Sequence, residues 1–431
     1  MRFYSTKNKN RFYSLKDAVL LGLPEDNGLF MPEFIPVLDD AFINSLQGMS
    51  LVDIAAAVSK AWFAEDIPSA VLEELVMDAF NFDTPLVQVD EQTWVEELFY
   101  GPTLAFKDVG ARFMARLMSW LVRDSNKKLT ILVATSGDTG SAVASGFFGL
   151  ENIEVIILYP SGKVSPSQEK QLTTWGGNIT ALEVGGTFDD CQRMVKEAFL
   201  DHDLRSSYQL TSANSINISR LVPQSFYYFR ACALLPEGAA PPCFIIPSGN
   251  FGNLTAGSLA KRMGLPVSRF IAATNANDVV PSYLSSGVFE PRPSVATISN
   301  AMDVGNPSNF WRMTALFGES LDAMKEEVIG FKAGEEETRR AMKACYTQSG
   351  YVLEPHGTVG YHAWHALRHN IKAPGVILET AHPSKFPDVV NETLGITPEI
   401  PERLAGIFTK EKKSINISLD FAALKAYLMG R

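Results

Sequence analysis

From about residue 128 onward the chain alternates short β-branched runs with helical patterns, and that alternation constrains the fold more than any other feature. KLTILVAT is followed by the helical AVASGFFGL, and IEVIILYP by SPSQEKQLTTWGG. ITALEV leads into FDDCQRMVKEAFL, and SYQLTS into ISRLVPQSFYYFRACALL. CFIIPSGNFGN precedes LTAGSLAKRMG, and RFIAAT and GVILET close the series. Strands that alternate with helices form parallel sheets covered on both faces. The series falls into two halves joined by the helical run around residues 218–235. The expected fold class is therefore α/β, with two parallel-sheet lobes and a cleft between them. A mostly helical N-terminal domain precedes them, in which LVDIAAAVSKAWFAED has helical apolar spacing. The expected boundaries are 1–95, 96–235 and 236–431.

Composition excludes several classes. The net charge of -10 argues against nucleic acid or an anionic membrane as the main partner. No run is apolar and long enough to span a bilayer. The N-terminal MRFYSTKNKNRFYSLKDAV lacks the apolar core of a signal peptide. Four scattered cysteines, without a CxxC, favour free thiols in a reducing compartment. A cytoplasmic enzyme is the expectation. The histidines of YHAWHALRHN have helical spacing, but no HExxH pattern and no nearby cysteine ligand, so packing is favoured over a metal and no metal is expected. KAGEEETRRAMKACYTQSG reads as a charged surface helix.

Two loops share one construction: an apolar strand, small polar residues with glycine, then a helix. The first is Thr135-Ser136-Gly137-Asp138-Thr139, and the second contains Gly249-Asn250-Phe251-Gly252-Asn253. Glycine lets backbone N–H groups converge, and a helix N-terminus adds partial positive charge. Neither loop is a GxxxxGK[ST] or a full dinucleotide fingerprint. Each by itself is equally an ordinary strand-to-helix turn, and Asp138 counts against an anion at its own position. In TSANSINISR, Asn214, Ser215 and Arg220 read either as a capping network or as a second anion site. Thr380 falls at the C-terminal end of an expected strand, where open α/β sheets hold ligands, although such threonines are commonly structural.

Lys107 follows the apolar run Leu104-Ala105-Phe106 at the start of a helical pattern. An amine among apolar groups loses hydration in its charged form, which lowers its pKa and makes it a nucleophile towards carbonyls. The competing reading is a snorkelling lysine paired with Asp108 or Asp138. A reactive amine, a phosphate cradle, a second anion site and a strand-end hydroxyl together match the needs of pyridoxal 5'-phosphate, with its aldehyde, phosphate and ring nitrogen.

The sequence resembles the threonine synthase family, in its longer-chain branch of bacteria and fungi. The resemblance rests on NGLFMP, ELFYGPTLAFKDVGARFM, ATSGDTGSAVA, ILYPSGKVSPSQEKQ, SANSINISRL, PSGNFGNLTAG, RFIAATNANDVVP, SNAMDVGNPSN and TAHPSKF. It implies pyridoxal-phosphate fold type II and the conversion of O-phospho-L-homoserine and water to L-threonine and phosphate. It puts the Schiff-base lysine at Lys107 and the cofactor-phosphate loop at Gly249, Asn250, Phe251, Gly252 and Asn253. The hydroxyl facing the ring nitrogen falls on Thr380, with the expectation that a threonine leaves that nitrogen largely unprotonated. The substrate carboxylate falls on the loop from Thr135 through Ser136, Gly137 and Asp138 to Thr139. The substrate phosphate falls on Asn214, Ser215 and Arg220. Many relatives of the wider fold type carry asparagine where Asp138 stands, whereas the longer-chain branch also carries aspartate, so the resemblance leaves the part Asp138 plays within that loop open. The alternatives are another lyase of the same fold, such as a serine or threonine dehydratase, or a cofactor-binding non-enzyme. The expected partner is a small molecule, with no nucleic acid and no membrane, in a monomer or homodimer.

Overall fold

A computed structural model describes residues 1–430. The chain divides into two compact units interleaved along the sequence. The first comprises Met1, residues 31–106 and residues 221–399; the second comprises residues 2–30, 107–220 and 400–431.

The first unit is built on a six-stranded sheet. Its order is Val328–Lys332, Arg269–Thr274, Cys243–Pro247, Gly375–Glu379, Thr93–Glu97 and Leu86–Asp90. Five strands run parallel, and Leu86–Asp90 turns back antiparallel on Thr93–Glu97 at the edge. Cys243–Pro247 is a continuous buried apolar run, as a parallel strand covered on both faces requires. Helix Pro355–Leu367 packs Trp364 onto Ile245 and Ile377 in the core. The indole is fully buried, and its N–H donates to Thr93 Oγ1 at 2.9 Å. Gly375 makes room for it, since a Cβ there would lie 2.4 Å from the ring.

The second unit holds a fully parallel five-stranded sheet, ordered Ser414–Ile417, Ile179–Val184, Ile153–Pro160, Leu129–Ala134 and Gln209–Ser212. Helices Phe188–Leu200 and Phe421–Met429 bury Met194, Val195, Leu424 and Leu428 against one face. Helices Lys107–Val122 and Asp138–Phe147 pack closely, with Gly146 set against the Ala111 carbonyl.

The strands read from β-branched runs all form. The units, however, differ from the contiguous division 1–95, 96–235 and 236–431. Thr93–Glu97 joins strands from residues 243–379, and Ser414–Ile417 covers the open edge of Ile179–Val184. Ser414–Ile417 is a short edge strand and Thr93–Glu97 an inner one, and in both the pairing partner lies far along the chain, so local pattern does not reveal it. The N-terminal segment has its helices, among them Leu51–Phe63, but it also carries an antiparallel hairpin, Arg2–Ser5 with Asn8–Ser14. The helical run at 218–234 is two helices, Ile218–Leu221 and Ser225–Leu234, separated by a 3-10 turn at Val222–Gln224. Pro223 lacks the N–H that a continuous helix needs. Glu335–Ser349 is a helix as expected, but one side is buried through Thr338, Ala341, Met342 and Cys345.

The C-terminal segment is tied to its unit by charge. Lys412 Nζ lies 2.7 Å from Glu183 and 2.7 Å from Glu169. Burial opposes ionisation of Glu183, but Lys412, Ser161 and Tyr159 outweigh it and lower its pKa to about 2. A depressed carboxylate contributes stability above its unfolded value and loses it as pH falls through the folded one. Glu183→Gln should therefore lower stability at neutral pH and flatten the acid limb between the ordinary 4.5 and about 2, read by urea unfolding at a series of pH values. Trp364→Ala removes a fully buried indole and should cost about 3–5 kcal/mol in denaturant unfolding.

Candidate active site

The groups singled out in the sequence form two half-sites, one in each compact unit. The chain links them covalently at Phe106–Lys107.

In the first unit, the segment before Lys107 is pinned to the end of strand Gly375–Glu379. Phe106 N–H donates to the Thr380 carbonyl at 2.9 Å, and His382 N–H to the Leu104 carbonyl at 3.1 Å. Ala105 and Ala381 form an antiparallel bridge between these bonds. Leu104 adopts φ +58, a left-handed conformation that costs roughly 1–2 kcal/mol for a side chain with a Cβ. Lys385, fully buried, donates to the Thr103 carbonyl at 3.0 Å and holds the same turn.

The loop 249–253 leads from strand Cys243–Pro247 into helix Gly252–Arg262. Gly249 is set against the backbone of Ala301 and Met302, where a Cβ would lie 2.8 Å from Met302 Cα. Asn250 Oδ1 accepts from Ser308 N–H at 2.6 Å and from the Ser308 hydroxyl at 2.9 Å. Phe251 occupies the N-cap position at φ +59, and its side chain cannot cap the helix. Asn253 Oδ1 accepts from the hydroxyls of Tyr227 and Tyr228, both at 2.7 Å. Its Nδ2 is buried without a protein partner. A helix start without a capping side chain, a backbone approach that needs glycine and an orphaned amide fit a phosphate group. The Thr380 hydroxyl, at the strand end, donates to Glu354 Oε1 at 3.1 Å.

In the second unit, Lys107 is half-buried at the first position of helix Lys107–Val122. Arg220 lies against the first turn of that helix. A Cβ on Gly110 would sit 2.8 Å from the Arg220 carbonyl and 3.2 Å from its Nε. Arg220 Nη1 donates to the Ala213 carbonyl at 2.7 Å. Burial lowers the Arg220 pKa to about 10, opposed by the charge of the buried Asp108, so the guanidinium stays positive at neutral pH. Asn214 Nδ2 donates to the Ala134 carbonyl at 2.9 Å, tying this loop to the strand before Thr135. Asn217 bridges the carbonyls of Val19 and Ser212 and accepts from Ser219, while Ser215 is half-buried beside it in sequence. The SANSINISR stretch is thus a capping network, and it also holds a buried guanidinium in place.

The Thr135–Thr139 loop closes on itself. Thr135 Oγ1 accepts from Gly137 N–H and Gly140 N–H, both at 2.9 Å, and so caps helix Asp138–Phe147 from outside it. Gly137 takes φ +137, and a Cβ there would collide with Gln168 at 2.4 Å. Ser136 and Thr139 are half-buried on the loop. Asp138, buried at the helix start, accepts from Gln168 Nε2 at 3.0 Å.

Sequence reasoning passed over Gln168, Glu354, His356 and the Ala301–Met302 backbone. Gln168 carried a signal, the Ser165-to-Gln168 capping pattern, which points to a helix start and not to Asp138. Among the described residues no group of three His, Cys, Asp or Glu side chains is arranged for a metal. His362 packs edge-on to Phe331, and His365 lies 3.6 Å from Asp90. All four cysteines are free, and burial pushes the thiols of Cys191, Cys243 and Cys345 up to about 12.

Comparison with known proteins decides the family. The model of the pyridoxal-phosphate dependent enzymes matches residues 78–380, and models of the threonine synthase N terminus and C-terminal region match residues 2–80 and 358–428. The threonine synthase of Haemophilus influenzae is 46% identical over 432 residues, covering 100% of both chains. The chain belongs to the threonine synthase family. The crystal structure of the Escherichia coli threonine synthase superposes with a TM-score of 0.92 at 44% identity, covering 100% of both chains. A pyridoxal-phosphate-bound threonine synthase from Brucella melitensis superposes at 0.92 with 36% identity, covering 100% of this chain and 99% of that one. The cofactor of this threonine synthase family member is pyridoxal phosphate.

Gly249→Ala should displace the loop, because the atoms its Cβ meets are backbone and cannot rotate away. The expected outcome is a lowered affinity for pyridoxal phosphate in absorbance titration. Gly406→Ala, where a Cβ meets nothing within 4 Å, should leave that affinity unchanged.

Proposed function

We infer that this chain converts O-phospho-L-homoserine and water to L-threonine and phosphate. Full-length identity to threonine synthases carries the reading. Bound pyridoxal phosphate supplies an aldehyde for amines and an electron sink for charge at the substrate α-carbon. Gly249, Asn250, Phe251, Gly252 and Asn253 would hold its phosphate, Thr380 would face its ring nitrogen, and Lys107 would hold its aldehyde carbon.

The remaining groups act on the substrate. Lys107 would also be the base that takes the substrate α-proton. The start of helix Asp138–Phe147, with Ser136 and Thr139, receives the α-carboxylate. Gln168 holds the Asp138 carboxylate, which keeps that negative charge directed to a donor of its own chain. Arg220 is buried, positive and fixed by Ala213, so it meets an anion without reorganising. With Asn214 and Ser215 it forms the site for the substrate phosphate and stabilises charge on the departing group. No helix among the described residues is long and apolar enough to cross a membrane, and a cytoplasmic setting is part of the same proposal.

Lys107→Ala should abolish steady-state turnover while leaving non-covalent cofactor binding through the 249–253 loop. Retained turnover would remove Lys107 from the chemistry. Arg220→Ala should lower kcat/KM for O-phospho-L-homoserine by on the order of a hundredfold or more. Slow turnover of unphosphorylated analogues should change far less. Equal losses on both substrates would make Arg220 a structural residue, holding the first turn of the Lys107 helix through Gly110 and Asp108.

A further inference from the structure

Thr380 does not stand alone at the end of its strand. Its hydroxyl donates to Glu354 Oε1 at 3.1 Å, and Glu354 is fully buried at the N-cap of helix Pro355–Leu367. Four donors converge on the two oxygens of this carboxyl group. Oε1 receives the Thr380 hydroxyl and Gly357 N–H at 3.0 Å. Oε2 receives His356 N–H at 2.7 Å and His356 Nδ1 at 2.5 Å.

The imidazole can be oriented from its other nitrogen. Ala301 N–H donates to His356 Nε2 at 3.1 Å, so Nε2 keeps its lone pair. The ring proton of the neutral form then sits on Nδ1 and points at Glu354. An ionised carboxylate only accepts, and four donors suit it; a protonated one would add a fifth hydrogen to the cluster.

A second buried carboxyl group lies alongside. Glu379 Oε1 accepts the Glu354 N–H at 2.6 Å. Burial, and then the charge of Glu354, push Glu379 well above the usual carboxylate range, so it is the neutral member of the pair. Its other oxygen lies against Gly357, where a Cβ would be 1.4 Å away, and has no hydrogen-bond partner. Four donors meet the Glu354 oxygens and only one N–H meets those of Glu379, so the geometry favours the one negative charge on Glu354.

A hydroxyl has a single proton. With that proton committed to Glu354, Thr380 Oγ1 offers only lone pairs in any other direction. A nitrogen facing it can form a hydrogen bond only if it carries a proton itself. We propose that Glu354 is a positioning residue which, acting through the Thr380 hydroxyl, keeps the ring nitrogen of bound pyridoxal phosphate protonated. The inference rests on the reading that Thr380 faces that nitrogen. It reverses the expectation, drawn from threonine alone, of a largely unprotonated ring. The carboxylate that a threonine lacks is supplied one residue further back, and His356 and Gly357 hold it in place. The effect is a protonation equilibrium at one nitrogen, exchanging its proton with water, and requires no oxidant, reductant or leaving group.

The experiment is 15N NMR of the holoenzyme reconstituted with ring-15N-labelled pyridoxal phosphate. The unaltered protein should give a pyridinium-type nitrogen shift at neutral pH, and Thr380→Ser should keep it. Glu354→Gln retains an oxygen acceptor without the charge, and Thr380→Val removes the hydroxyl. Both should move the signal to the pyridine-type position. A pyridine-type shift in the unaltered holoenzyme overturns the inference without any variant, so it stays testable if Glu354→Gln fails to fold. A pyridinium shift lost in Thr380→Val but kept in Glu354→Gln overturns the role of Glu354 alone. A shift unchanged in both variants removes Thr380 from the ring nitrogen, and that part of the proposed site falls with the inference.

Discussion

The short pairing of residues 104–106 with residues 380–382 governs the candidate site. Backbone bonds from Phe106 to Thr380 and from His382 to Leu104 flank the Ala105–Ala381 bridge. Lys107 is the next residue along the chain, so the residue before it is held by the Thr380 carbonyl. The left-handed Leu104 and the buried Lys385 belong to the same turn. The turn reverses to place an apolar run against a strand end, and its Thr103 carbonyl accepts from Lys385. Strain of this kind persists where the surrounding bonds over-determine the backbone.

Around this anchor, buried polar groups do two different jobs. Some close loops on themselves: Thr135 takes two N–H groups of its own turn, and Asn217 satisfies two carbonyls and a serine. Others bring ionisable groups into the interior among compensating partners, as with Arg220 in the field of Asp108 and Glu354 among four donors. An unpaired buried charge is costly, so these networks must be assembled whole. The glycines at 110, 137 and 249 serve the same end. Each lets another group approach closer than a Cβ permits: Arg220, Gln168 and the Met302 backbone in turn.

Much of the site was legible in local pattern. The loops 135–139 and 249–253 lie between strand and helix as their glycines and apolar runs indicated, and Lys107 starts a helix directly after an apolar run. Arg220 was visible as a charge next to a polar cluster. Its near-complete burial and its contact with the Lys107 helix were not, because they depend on Gly110, more than a hundred residues away. Glu354 was silent for a similar reason. A glutamate before a proline reads as an ordinary helix cap, and only the arrival of Thr380 and His356 gathers side-chain donors on it.

Sequence by itself determined the α/β class, the eight-residue and shorter buried strands, the two anion-shaped loops and the family. These follow from periodicity of two and 3.6, from glycine at loops, and from motifs that each lie within some twenty residues. Tertiary structure alone decided which strands share a sheet, that Thr93–Glu97 and Ser414–Ile417 belong to different units, and which donors gather on the buried Glu354. Strand pairing and proton placement depend on groups distant in the chain, and no local pattern records which distant neighbour arrives.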